Sequence, residues 1–434
     1  MLSIPIKIYC PSPTERHRYI FDLIFNQLLG STYLYTDDLT TCDLNYSVDS
    51  GNGLQIIPHV LLGQDDINKD VTVVFEQDEY QWFTFRTSNT LNCPFDIFAS
   101  AFYLVSRYEE YLPFDADDHS RFPAHFSCLA SKNLFEEPLV NQWALYIRDK
   151  LLHNNPSLAF IPRSFEFQST IDIDQAWKFK NKGLFRSLSG TVRDLVKGKW
   201  ENLLARWPIL LGLKPDPFYN FDWQQEVHSK LNIKVQYFIL LGNYGPLDKN
   251  TSHTNKYFQK LIKQLSKLKD TNVGIHPSYQ SNTETHVLEE EIDRLAIILK
   301  TKVTASRQHF LMHKMPQTYS KLAARGIKEE HTMGYSTHLG FRAGIAAPFY
   351  WFDLQANKAT DMELVPFCAM DITPLHYRNE SPDEAMQSLE SLMQKVKDVG
   401  GLFVSLWHNE SFSETERWKG WQKVYSHLLN LAKR

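Results

Sequence analysis

From residue 164 onward, seven short apolar runs alternate with amphipathic stretches, at residues 164–173, 233–241, 272–278, 303–311, 326–333, 364–371 and 401–408. A β-then-α rhythm of this kind restricts the chain to a parallel sheet with helices packed on it, as an open sheet or a barrel. The polar residues sharpen that constraint. Asp172 and Asp174, His276, Arg307 and His309, Glu330 and His331, Asp371, and His408 all stand at the C-terminal ends of these runs. That edge is where α/β barrels build their active sites. Residues two apart in a strand face the same way, so Asp172 and Asp174 would project together, a pairing that invites a metal or a proton.

The helix signals agree with this layout. Ser381-Pro-Asp-Glu384 is a capping box with proline at the first helical position, and Gly400-Gly401 end the apolar stripe that follows. At 434 residues, two domains are expected. Residues 1–160 read as a smaller α/β domain: a strand at 4–9, a helix at 16–29 stopped by Gly30, a β-branched run at 71–75 and a buried helix at 96–110. Residues 153–162, with Asn-Asn-Pro in their middle, form the linker. Asp115-Ala-Asp-Asp-His119 lacks the glycine of a calcium loop and reads as a solvated acidic loop.

Lys and Arg total 46 against 50 Asp and Glu, a net charge of −4, which argues against a nucleic-acid partner. Five scattered cysteines without C-x-x-C spacing exclude a disulfide framework or thiolate zinc site and suit a reducing compartment. With neither a signal-like N-terminus nor a run long enough to span a bilayer, the expected location is the cytoplasm.

Against this balance, residues 178–214 carry nine Lys/Arg (178, 180, 182, 186, 193, 197, 199, 206 and 214) and only Asp194 and Glu201 as acids. Val192, Leu195, Val196, Trp200, Leu203, Leu204 and Trp207 fall on one helical face. The favoured expectation is a helix docked on the sheet through that stripe. A lid, or a surface meeting anionic glycans or a membrane, is the alternative.

Four motifs then occur in order on successive strand ends: Thr170-Ile-Asp-Ile-Asp174, Gly274-Ile-His-Pro-Ser-Tyr279, Ser306-Arg-Gln-His-Phe310 and Leu406-Trp-His-Asn409. Together they resemble the motifs of the polysaccharide deacetylase family, the NodB-homology carbohydrate esterases, over about residues 164–434. The N-terminal part looks similar to an uncharacterised domain that accompanies such modules. The resemblance implies a distorted, incomplete parallel (β/α)7 barrel and metal-dependent removal of N- or O-acetyl groups from a glycan or glycan precursor. It also implies roles. Asp172 matches the general base acting on the attacking water, Arg307 the residue that orients it through a bidentate pair, and His408 the general acid. Asp371 is the candidate that orients His408. His276 matches a metal ligand, and Asp174 replaces the family's ligand carboxylate, which a gapless match would put on Ile173. Gln280 stands where a second ligand histidine is expected, so water, or a histidine such as His309 or His331 from another strand, must complete the shell of a divalent, zinc-like ion held weakly or not at all.

Trp177, Tyr279, Tyr335, Trp351 and Trp407 are candidates for stacking on sugar rings, and Arg342 for a substrate carboxylate or phosphate, with a structural salt bridge as its alternative. Two other functions stay open. One is a barrel that binds sugars without deacetylating them, for which Gln280 speaks. The other is a glycosidase using Asp172 with Glu410.

Overall fold

A computed structural model describes residues 4–433 apart from 79, 80, 92 and 162. Pro162, the last residue of the expected linker, therefore lies outside the described residues. The chain begins with β1 (Ile6–Tyr9) and α1 (Glu15–Phe21), whose start is fixed by a reciprocal cap between Thr14 and His17. The helix widens into an i→i+5 turn over Asp22–Leu28 before Gly30, at φ +60°, ends it. β2 (Tyr33–Tyr35), β3 (Leu44–Asn45) and β4 (Leu54–Gln55) join β1 in a parallel sheet of order β2-β1-β3-β4. The β-branched residues 71–75 make no ladder. Pairing starts only at β5 (Glu76–Asp78), which forms an antiparallel pair with β6 (Gln81–Phe83).

α2 (Ile97–Val105) is buried along its whole length, and the Asp96 side chain caps it. It stops short of residue 110 because Arg107 takes a left-handed φ of 53°. α3 (Leu139–Asn154) completes this half.

The second half carries β7 (Glu166–Ile173), β8 (Lys234–Ile239), β9 (Thr271–Ile275), β10 (Ala305–Ser306) and β11 (Glu329–Glu330), followed by β12 (Phe349–Asp353), β13 (Lys358–Leu364), β14 (Ala369–Met370) and β15 (Leu402–His408). They form one sheet of order β12-β13-β11-β10-β9-β8-β7-β15-β14, parallel except for the β12–β13 pair. No ladder joins β12 to β14 among the described residues, so no closed sheet forms there and the expected incomplete barrel is not confirmed. The runs at 303–311 and 326–333 shrink to the two-residue strands β10 and β11, and the run at 364–371 keeps only the end of β13 and the two-residue β14.

The helices are α4 (Leu184–Val196), α5 (Trp200–Leu210), α6 (Phe221–Leu231), α7 (Lys256–Leu265), α8 (Thr285–Leu299), α9 (Gln317–Ala324), α10 (Pro382–Asp398) and α11 (Trp421–Lys433). The capping box of α10 forms as the sequence predicts, with Ser381 and Glu384 bonded reciprocally. The α4–α5 hairpin departs from expectation. Its stripe through Val192, Leu195, Val196, Trp200, Leu204 and Trp207 faces solvent. What the hairpin buries instead is the Arg206–Asp194 ion pair, with Arg206 lying against Gly190 and the Phe179 ring.

The buried apolar core runs without a break from the four-stranded sheet to the large one. A buried ionic cluster ties the same two regions. Glu110 accepts from Arg107 Nε at 2.7 Å and from Arg342 Nε and Nη2 at 2.9 Å each, and Arg107 also donates to the Arg342 carbonyl. Burial opposes the Glu110 charge, yet the two guanidiniums hold its pKa well below the usual carboxylate range. Arg342 is thus a structural partner, and its expected role in holding a substrate anion is corrected. Arg342→Ala is predicted to cost about 3 kcal/mol of stability in urea denaturation, since it strands a buried charge. If stability is unchanged while substrate KM rises, the side chain belongs to a binding site after all.

Candidate active site

β7 lies between β15 and β8, and the ladder sets His408, Asp172 and Phe238 side by side. Asp172 is buried at the strand's end, and Thr170, two residues earlier on the same face, shares its partner. Arg307 Nη1 donates to Thr170 Oγ1 at 2.6 Å and to Asp172 Oδ1 at 3.0 Å. The expected bidentate clamp is therefore a single-nitrogen contact, because Thr170 competes for the same donor. Arg307 Nε reaches instead to the His331 carbonyl at 3.0 Å, and the guanidinium stacks on Phe238, 4.6 Å from the ring centre. Fully buried, Arg307 has its position set from several sides.

His276 follows β9 directly. Its Nδ1 donates to the Arg307 carbonyl at 2.6 Å, which leaves the Nε2 lone pair facing the carboxylates, 3.6 Å from Asp172 Oδ2 and 3.5 Å from Asp174 Oδ1. Burial lowers the pKa of this histidine, so it stays neutral. His309 mirrors it from the turn after β10. Its Nδ1 donates to Asp248 Oδ1 at 2.9 Å and its Nε2 lies 3.7 Å from Asp174 Oδ2. Burial works against the His309 charge, but the Asp174 and Asp248 carboxylates raise its pKa to about 9.

Asp174, His276 and His309 place one ligand atom each within 4.8 Å of one another. Asp174 Oδ1 is buried without a hydrogen-bond partner, and each histidine has its outer nitrogen tied to a carbonyl or carboxylate, as metal-ligating imidazoles require. One oxygen and two nitrogen donors fit a tetrahedral zinc-like ion with one open position. His331 does not join them: its ring is fully buried against Phe238, 5.0 Å between ring centres. Nor does Gln280, which is exposed and donates to Glu284 at 2.9 Å. The histidine that stands with Asp174 and His276 is His309, from the neighbouring strand end.

Across the same mouth, His408 ends β15. Its backbone N–H donates to Asp371 Oδ2 at 2.8 Å, and its Nδ1 lies 3.1 Å from both Asp371 oxygens. Ser411 Oγ donates to the same carboxylate. Burial would lower the His408 pKa, but Asp371 first, then Asp174 and Asp172, lift it to about 10. A cavity of about 370 Å³ joins these groups, lined among others by Asp172, Asp174, His276, His309, His408 and Glu410.

The aromatic candidates divide. Trp177 packs in the core, stacked 5.7 Å from Tyr219, and Trp407 is buried among Phe412, Trp421 and Tyr425. Trp351 is buried against Tyr319, and Tyr335 lies beneath the Arg342 guanidinium with its hydroxyl accepting from Arg107. These four are corrected from substrate contacts to packing. Tyr279 alone is only half-buried, its hydroxyl 3.3 Å from His119 Nδ1 and its ring against Phe310, which lines the cavity.

Two contributors escaped the sequence reading. Asp248 sits in the loop after β8 with no spacing that would mark it, and Arg121 comes from the N-terminal half. Arg121 is held by Asp117 at 2.8 Å, donates to the Phe310 carbonyl at 2.9 Å and lines the cavity. The expected solvated loop at 115–119 thus leans on the site's rim. Phe310 and Leu311 adopt positive φ of 59° and 52° there, a costly backbone for non-glycine residues that the packed rim enforces.

A family of unknown function, DUF7033, matches residues 6–156. No curated protein matches the chain. Among solved structures, the fold is similar to a protein designated a polysaccharide deacetylase from Mycobacterium smegmatis, at 13% identity and TM-score 0.39, over 62% of this chain and 85% of that one. It is also similar to the catalytic domain of a peptidoglycan N-acetylglucosamine deacetylase from Eubacterium rectale (12%, TM-score 0.29, 62% and 84%). A third likeness is to a CE4 family pseudoenzyme from Bacillus anthracis (12%, TM-score 0.26, 61% and 62%).

Binding of zinc to this donor set requires a neutral His309. Below pH 9 its Nε2 carries a proton that must leave, whereas His276 is already neutral, so about one proton should be released per ion bound. Apparent affinity should rise roughly tenfold per pH unit and level off above about pH 9. Calorimetry in buffers of different ionisation enthalpy reads both quantities. Asp174→Ala, His276→Ala and His309→Ala should each abolish tight binding, and Gln280→His should leave it unchanged. Binding that survives His309→Ala would move the ion elsewhere.

Proposed function

We propose that the protein hydrolyses N- or O-acetyl groups of a glycan or glycan precursor with the help of a divalent, zinc-like metal. The observation that carries this reading is the division of proton states across one cavity. On one side, His276 offers a lone pair beside Asp172 and Asp174; on the other, His408 is held protonated by Asp371. Hydrolysis of an amide or ester needs an acceptor for the proton of the attacking water and a donor for the leaving group.

In this reading Asp172 is the acceptor. One of its oxygens is fixed by Arg307, and the other points toward the donor set. In this reading His408 is the donor, and the Asp371 carboxylate keeps its ring oriented while stabilising the charge it carries before transfer. A metal held by Asp174, His276 and His309 would supply Lewis acidity toward the acyl oxygen. The glycan comes from the motif resemblance, and Phe310, Tyr377 and Trp418 line the cavity with aromatic rings that suit a sugar. His309 removes the reason that Gln280 gave for a barrel that only binds sugars.

Acetate release from N- and O-acetylated oligosaccharides by zinc-loaded protein tests the proposal. Asp172→Asn and His408→Gln should each lower kcat by roughly two orders of magnitude or more. Thermal midpoints should fall in both, because each change takes the charged partner from a buried ion, Arg307 in the first and Asp371 in the second, and zinc affinity should be retained in His408→Gln. Activity within a few-fold of wild type in either variant ends that residue's assignment. Oligosaccharide binding without acetate release from any member of the panel would favour the sugar-binding reading.

A further inference from the structure

The α4–α5 hairpin is built the wrong way round for water. Its ion pair, Arg206 with Asp194, is buried between the helices, while Leu188, Val192, Leu195, Val196, Trp200, Leu204, Trp207, Leu211 and Leu213 are exposed. Val196 is 81% exposed and Leu204 77%. Nine of the large apolar side chains that face solvent among the described residues thus fall within residues 188–213. A continuous apolar face of this kind marks a binding surface.

The charge around it says what it binds. Between residues 187 and 214 the exposed charged side chains are Arg193, Lys197, Lys199 and Lys214, against Glu201 alone. This is a cationic patch on a chain whose net charge is −4. A two-fold dimer through the face would bring together two patches of the same net positive charge, which repels. An anionic lipid surface satisfies both features, with acyl chains for the leucines and tryptophans and headgroups for the cations. No helix among the described residues is long and apolar enough to cross a membrane, so the hairpin would lie in the interface plane.

We infer that α4 and α5 form a docking surface for anionic lipid membranes. The hairpin adjoins the mouth of the site. Lys178, at its base, pairs with Glu416 at 2.9 Å, and the next two residues, Arg417 and Trp418, line the catalytic cavity. Docking therefore brings the mouth to the lipid surface, where a lipid-borne glycan would present itself. That last clause rests on the deacetylase reading; the docking itself does not.

The test uses the full chain with vesicles of phosphatidylglycerol and phosphatidylcholine, and of phosphatidylcholine alone, read by co-sedimentation and tryptophan emission. Wild type should sediment with the anionic vesicles, shift its emission to the blue, and be released by salt. One variant combines Val196→Asp, Trp200→Asp and Leu204→Asp; another combines Arg193→Glu, Lys197→Glu and Lys199→Glu. Each should weaken partitioning by on the order of tenfold or more. Both should keep the wild-type thermal midpoint and zinc affinity, which separates this outcome from any failure of the site. No partitioning at millimolar anionic lipid, or equal partitioning by wild type and variants, overturns the proposal. A dimer in solution that the apolar variant dissolves would assign the face to a second copy and likewise overturn it.

Discussion

The register of β7 against β15 and β8 is the constraint on which everything else in the second half depends. Along β15, Val404, Leu406 and His408 share one face, while Phe403 and Trp407 share the other. The ladder sets Leu406 beside Thr170 and His408 beside Asp172. Val404 and Leu406 join Leu311, Val365 and Phe367 in a small cluster of their own, separate from the main core that takes Phe403 and Trp407. The sheet is thus packed on both faces, as parallel strands require. Its smaller pack supports the carboxylate and histidine at the mouth. A slip of one residue would turn Asp172 and His408 into the aromatic layer beside α11 and bring Ile171 and Trp407 to the mouth.

Given that register, the site works by making histidines differ. His276 and His408 stand across one cavity and meet the same two aspartates, yet the first is held neutral and the second charged. The cause lies behind each ring. A backbone carbonyl accepts from Nδ1 of His276 and carries no full charge to offset the cost of burying an imidazolium. A carboxylate behind His408, itself fixed by Ser411 and a backbone N–H, more than offsets that cost. His309 has the same kind of partner in Asp248, so its proton is held until something more strongly attracted to Asp174 displaces it.

The order of polar residues on strand ends was legible because period-two strands with apolar interiors locate their own ends, and Asp172, His276, Arg307, Asp371 and His408 follow from that pattern. The pattern could not show that three of the strands would be only two residues long. The chain leaves the sheet early at Ser306, and this early exit swings His309 toward Asp174, where a longer strand would have carried it past. Asp248 lay beyond reach for another reason: a loop carboxylate gains its role only from the histidine that a distant segment presents to it. Trp177, Trp351 and Trp407 show a third limit, since an aromatic near a strand end reads alike whether its face meets a sugar or Tyr219. The stripe on α4 and α5 shows a fourth. Periodicity gives the face a helix will bury and is silent on whether the partner belongs to the same chain.

The two halves of the chain are bound to one chemistry by a charged cluster rather than by apolar packing alone. Glu110 and Arg107 leave α2 just where the left-handed turn at Arg107 ends it, and they meet Arg342 from the loop before β12. A buried ion cluster adds little net stability over a well-packed apolar one, but it tolerates only one arrangement of its members. That selectivity fixes where residues 111–122 run. From there, Asp117 aims Arg121 at the Phe310 carbonyl, next to the His309 ring. The strained turn that presents His309 is therefore braced from outside the sheet that carries every other member of the donor set. The N-terminal half thereby becomes part of the wall of the cavity.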